Sequence, residues 1–195
     1  MRERILARLR QALNHRLRPG LPEPLGAAAL EPAAWALFQK RLCENGGEVV
    51  FLQEDEAPAW LQSFAQTFEG VAIGEGVPPA LRPALPQRPP EEAPLGVSWA
   101  LGAVAETGSV ILGSQEGRRV QLLPPTHLVF VSAERIYATL YEALEALKPH
   151  LPSAIGLHSG PSKSADIGQI MVKGVHGPGR LVVAVLRSGV WFTQS

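Results

Sequence analysis

Residues 48–74, EVVFLQEDEAPAWLQSFAQTFEGVAIG, decide the fold. EVVFL (48–52) is a continuous apolar run of strand length, APAWLQSFAQTF (57–68) has the length of a helix, and GVAIG (70–74) is a second short strand. A strand, a helix and a strand in that order make a β-α-β unit, which implies a parallel sheet.

The pattern continues downstream. VSWALGAVAETGSVILG (97–113) reads as a helix or strand, a tight turn and a strand SVIL. HLVFV (127–131) is a strand, and SAERIYATLYEALEALK (132–148) is the strongest helical pattern in the chain. Its stripe is Ile136, Leu140, Leu144 and Leu147, and Ser132 stands at the N-cap with Arg135 where a capping-box Glu would be. SAIGLHSG (153–160) predicts a strand, SADIGQIMV a short helix, and RLVVAVL (180–186) the last core strand. The expectation is an α/β fold with a parallel or mostly parallel sheet flanked by helices.

Upstream, Ile5, Leu6, Leu9, Leu13 and Leu17 recur at helical spacing with arginines opposite, and RPGLPEPLG breaks the pattern. Residues 1–20 form an N-terminal helical arm, and 28–195 a single α/β domain. A helix from about Glu31 to Cys43, with Pro32 at a tolerated early position, ends at ENGG. Residues 77–94 hold seven prolines and predict an excursion outside the sheet, long enough to serve as a lid over a pocket.

Composition narrows the function. The 195 residues are 46% hydrophobic with a formal net charge of zero, which excludes nucleic-acid or anionic-membrane binding by bulk charge. No apolar run approaches a membrane span, and the charged N-terminus is not a signal sequence, so the expected location is cytoplasmic. Cys43 is the sole cysteine, which excludes an internal disulfide and any cluster or zinc site built from several of the chain's own thiolates. It reads as a small buried hydrophobe on its helix. Arg outnumbers Lys 14 to 4, Glu outnumbers Asp 16 to 2, and there are only two Asn. That bias suits a thermophile or a GC-rich genome.

In open α/β sheets ligands sit beyond the carboxyl ends of the strands. Three polar segments are expected there: AETGS (105–109), HSGPSKSADI (158–167) and HGPGR (176–180). Ser162, Lys163 and Ser164 stand at the start of the predicted short helix. Its free N–H groups, with two hydroxyls and an ammonium, suit a carboxylate or phosphate. The same serines equally suit a helix cap, with Asp166 in its first turn. The Gly-Lys-Ser/Thr ending of a Walker loop is absent. Glu106, just before a turn, is placed for a nucleophile or a base, or to hold the turn by accepting backbone N–H bonds. His127, His158 and His176 lie at strand or turn boundaries without the spacing of a zinc motif, and each reads as structural. No metal site is expected.

AVAETGSVIL, THLVFVSAERI and GPSKSADIGQIMVKGVHGPGRLVVAVL together resemble the LUD domain of the lactate utilization protein C family. The motifs fall on Ala103–Leu112, His127–Ile136 and Gly160–Pro178, and the resemblance runs from about Gly96 to Leu186. It implies a phosphosugar-isomerase/CoA-transferase-like fold. It also implies a part in oxidising L-lactate to pyruvate beside two iron–sulfur partner subunits, with the clusters in the partners and none in this chain. The motif positions are Glu106, Thr107, Gly108, Gly160, Pro161, Ser162, Asp166, His176 and Gly177. With Ser109, Lys163 and Ser164, these make the expected binding set for a small carboxylate, with Glu106 as the candidate catalytic group. AETG also resembles the Glu-x-Gly turn of CoA transferases. A stand-alone CoA-transferase-like or phosphosugar-type enzyme with Glu106 catalytic is thus the second reading; by the CoA-transferase analogy Glu106 would attack an acyl-CoA, with a backbone N–H as oxyanion donor. A regulatory module that binds a ligand without chemistry is the third reading. The arm 1–20 has two uses open to it, joining a homodimer or docking a partner.

Overall fold

The computed structural model describes residues 2–14, 34–165, 171–174 and 177–188. Along the chain come helices α1 (Arg2–Asn14) and α2 (Ala34–Glu44), strand β1 (Glu48–Gln53), helix α3 (Ala57–Ala65) and strands β2 (Val71–Ile73) and β3 (Leu95–Trp99). Strands β4 (Gly102–Val104) and β5 (Ser109–Gly113) follow, then helix α4 (Arg118–Leu122), strands β6 (Thr126–Ser132) and β7 (Ile136–Tyr137), and helix α5 (Leu140–Leu147). Last are β8 (Ile155–His158), β9 (Lys163–Ala165), β10 (Met171–Lys173) and β11 (Arg180–Arg187).

The main sheet has the order β1-β11-β6-β3-β2, and every pairing in it is parallel. The β-α-β unit read at 48–74 forms, but its strands occupy opposite edges with three strands between them. Length and hydrophobicity explain this. The centre goes to the long strands β11 and β6, whose residues are buried on both faces, while three-residue β2 is left at an edge.

The two faces can be followed along β11. Val182, Ala184 and Leu186 pack with Leu128, Phe130 and the α3 residues Ala57 and Leu61. Leu181, Val183 and Val185 pack on the other side with Phe38 and Leu42 of α2 and with Val110 and Leu112 of β5. Strand β5 belongs to a second sheet, ordered β7-β4-β5-β8, which lies on that face of the first. Its outward residues Val104 and Ile111 are covered by Ala143 and Leu147 of α5.

Four local expectations are corrected. The helix read at 132–148 begins only at Leu140, because Ser132 ends β6 and Ile136–Tyr137 pairs with β4. Thr139 is the cap. Its hydroxyl accepts the Glu142 N–H at 3.2 Å, and Glu142 accepts the Ala138 N–H at 3.1 Å. A Thr with Glu three positions on outcompetes a Ser with Arg there. Second, the stretch read as a helix from Ser164 instead carries β9 and β10, paired antiparallel, with 166–170 outside the described residues. The Ser162 N–H is bound to the Pro178 carbonyl at 2.8 Å, so it is not a free helix-start donor.

Third, Cys43 is exposed, because α2 turns Phe38 and Leu42 inward and the next position faces out. Fourth, residues 77–94 lie along the edge of the main sheet as a strap. Val71 N–H donates to Pro86 O and Arg88 N–H to Val71 O, and Val77, Leu81 and Ala93 are buried. The strap lines no part of the cavity described below. Helix α1 is described to Asn14, and Leu17 lies outside the described residues. No described helix is long and apolar enough to cross a membrane.

Candidate functional site: a histidine-lined cavity between the sheets

His127 is the second residue of β6, and the parity of the strand turns its side chain toward the second sheet. It is completely buried. Nε2 is 3.0 Å from the Ser98 hydroxyl on neighbouring β3, and Nδ1 has no partner among the described residues. His158, the last residue of β8, stands across from it with ring centroids 6.0 Å apart and planes at 76°. Burial pushes the His127 pKa down to about 3, with a further push from His158, and burial lowers that of His158 as well. Both rings are therefore neutral near pH 7.

The two histidines line a cavity of about 160 Å³. Ser159, Gly160, Ser162 and Gly177 form its polar wall, and Leu122, Leu157, Pro178 and Leu181 its apolar wall. His127 and Leu181 sit at the starts of β6 and β11, so the cavity lies at the amino ends of these parallel strands. This corrects the expected location at the carboxyl ends.

A chain of hydroxyls runs beside the cavity. The Ser109 hydroxyl donates to Thr107 Oγ1 at 2.8 Å and lies 2.7 Å from Ser159 Oγ. Two glycines let these turns close. Gly108 has φ +62°, and a Cβ there would strike the backbone of Arg41 and Leu42. Gly160 has φ +156°, and a Cβ there would come within 2.7 Å of the Asn45 carbonyl. Gly177 packs so closely on Ser162 that a Cβ would stand 2.9 Å from that of the serine.

The structure thus brings together much of the expected set. Gly160, Ser162 and Gly177 line the cavity, and Pro161 is buried beside them. Thr107 and Ser109 reach it through Ser159, and Gly108 serves the packing against α2. Lys163 is exposed, and neither it nor Ser164 lines the wall. Asp166 and His176 lie outside the described residues.

Glu106 stands apart from this group. Its carboxylate accepts the Leu140 N–H at 2.7 Å, at the exposed start of α5. There it complements the positive end of the helix, the turn-holding role weighed beside catalysis. Where the sequence reading set it on the facing wall of the pocket, the cavity lining does not include it.

Two residues that the sequence reading passed over organise the sheet ends. Ser98 pins His127. Glu116 is almost fully buried at the carboxyl ends of β2 and β3, where it accepts Gly76 N–H at 2.9 Å and Trp99 N–H at 3.0 Å. Burial raises its pKa, against the lowering by those two bonds. A signal was present: Ser98, Glu116 and His127 are polar residues in or beside apolar runs, and buried polar groups need partners.

Among the described residues no three His, Cys, Asp or Glu are grouped to hold a metal. The described wall offers imidazole nitrogens, hydroxyls and apolar surface. That inventory fits reversible binding of a small polar molecule.

Residues 90–186 match the model of the LUD domain. Lactate utilization protein C of Anoxybacillus flavithermus is 34% identical over 99 residues, covering 49% of this chain and 45% of that protein. Lactate utilization protein C of a Geobacillus species is 39% identical over 98 residues, covering 45% and 40%. The match thus spans less than half the length of these relatives. A crystal structure of a DUF162 family protein from Deinococcus radiodurans superposes with a TM-score of 0.62 at 21% identity, over 78% of this chain and 96% of that one, and supports the fold.

Proposed function

Through residues 90–186 the chain belongs to the LUD-domain family, and on that premise we propose that it serves lactate utilization as an accessory subunit supplying a small-carboxylate pocket. The observation that carries this is one of placement. Every described residue of the cavity wall falls within 90–186, the segment that matches the LUD-domain model, and relatives of this chain are named for lactate utilization. Size agrees. An apolar protein cavity of about 150 Å³ holds benzene, with six heavy atoms, and lactate also has six.

The chain has one cysteine, so iron–sulfur clusters for moving electrons from lactate would reside outside it, in the two partner subunits that the family resemblance implies. This chain's part is to hold the carboxylate.

The test is lactate-dependent dye reduction in an extract of the source organism lacking this chain, then with it restored. Activity that disappears and returns with the wild-type chain supports the role. Activity that never depends on the chain overturns it. Restoration by Glu106→Gln separates the rival reading, in which Glu106 acts as a CoA-transferase-like nucleophile and that variant stays inactive.

A further inference from the structure

The cavity poses an electrostatic problem for the ligand just proposed. Among the described residues its titratable groups are His127 from β6 and His158 from β8. Strand β11, the end of α4 and the turns 159–162 and 177–178 add no charged side chain to the wall. Lys163, next in sequence to Ser162, is exposed and outside the wall. A carboxylate moved from water into such a wall without a countercharge loses its hydration with nothing to offset it.

Resting on the lactate reading, we propose that the cavity captures a small monocarboxylate together with one proton, held by the His127–His158 pair. The geometry supplies the acceptor. With Nε2 of His127 engaged by Ser98, Nδ1 is a buried nitrogen with no partner among the described residues, on a ring that lines a cavity of ligand size. A proton there turns the ring into a donor at both nitrogens, one toward Ser98 and one toward the anion. The serine hydroxyls of the wall remain for the ligand's other oxygens. The balance is simple. The carboxylate enters as the anion, one proton comes from solvent, no covalent bond of the ligand changes, and the complex gains no net charge. Burial holds both rings neutral in the empty cavity, and the anion reverses that preference.

The test is calorimetric titration of the full chain with L-lactate from pH 6 to pH 8, in two buffers of different ionisation enthalpy. The expected result is uptake of close to one proton per lactate, with affinity about tenfold weaker per pH unit of rise. Binding that is independent of buffer and pH overturns the proposal. That would be the outcome if Nδ1 already carries its proton and Nε2 accepts from Ser98. Absence of binding overturns it too. A second measurement needs no variant: nitrogen NMR of histidine-labelled protein should show one neutral ring becoming imidazolium as lactate is added. Rings that stay neutral overturn the proposal. If dye reduction depends on the chain but lactate brings no proton, this inference fails alone. If dye reduction ignores the chain, the lactate role fails, and the titration still measures the cavity.

Discussion

The two ends of the parallel sheet differ in one respect. At the carboxyl ends of β2 and β3 a buried carboxylate, Glu116, meets two backbone N–H groups with its two oxygens. At the amino ends of β6 and β11 a buried imidazole, His127, keeps one nitrogen unmatched among the described residues, on a ring that lines the cavity. The first end is matched within the chain at both oxygens, and the second at Nε2 alone. Polar groups in a low-dielectric interior stabilise when matched and cost when unmatched. Glu116 therefore belongs to stability, and His127, under the proposal above, to binding.

The largest effect should come from breaking the matched end. Glu116→Ala leaves two backbone donors without acceptors and should destabilise by about 3 kcal/mol in denaturant unfolding. A loss below about 1 kcal/mol would remove the contrast between the ends. Acidity gives a second view. The Glu116 pKa is raised in the fold, so the folded state binds the proton more tightly than the unfolded chain, and this group's contribution to stability declines as pH rises through the raised value. Glu116→Gln should flatten that decline.

His127 acts in the opposite sense. Its pKa falls from about 6.5 unfolded to about 3 folded, so the unfolded chain takes up the proton first as pH falls. Stability from this group is complete above about 6.5 and is lost by about 1.4 kcal/mol per pH unit down toward about 3. His127→Phe paired with Ser98→Ala should remove that slope while changing stability at pH 7 by under about 1 kcal/mol, since both hydrogen-bonding partners go together. A large loss at pH 7 would make His127 a structural residue.

Next in size is the approach of the 74–76 loop to Glu116. A Cβ at Gly76 would collide with the carboxylate, although the backbone there is not left-handed. Gly76→Ala should destabilise by about 2 kcal/mol. In the Glu116→Ala background it should cost far less, a non-additivity read from a double-mutant cycle. Smallest is the exposed pair at the amino edge, where Arg180 meets Glu48 at 2.7 and 2.8 Å. Its removal by Arg180→Met should change stability by about 0.5 kcal/mol, because both partners are half-exposed to water.

The sequence made the elements legible where hydrophobic pattern dominates. The runs at 48–52, 127–131 and 180–186 are strands of the main sheet, and 57–68 holds its helix. Strand order was not legible, because nothing local in EVVFL or GVAIG states that β11, β6 and β3 insert between them. The errors cluster where short-range chemistry competes. Thr139 and Glu142 override Ser132 as the helix start, and Ser162 spends its N–H on Pro178 where a free helix terminus was expected. For the site, the turns at 105–109 and 159–162 and Gly177 were found by their glycines and hydroxyls. The cavity's position was missed because the rule of carboxyl-end ligands concerns an open sheet, and here a second sheet closes over one face.

The strap at 77–94 has a meaning beyond covering β2. A short edge strand exposes donors and acceptors on which another chain can add itself, the first step toward fibrils. Here the N–H and C=O of Val71 are met by Pro86 and Arg88 of the same chain, and the segment outside it holds seven prolines, none with an N–H to offer. The segment that stood out as irregular in sequence is what gives this edge of the sheet an end, so that it cannot propagate into a neighbouring molecule.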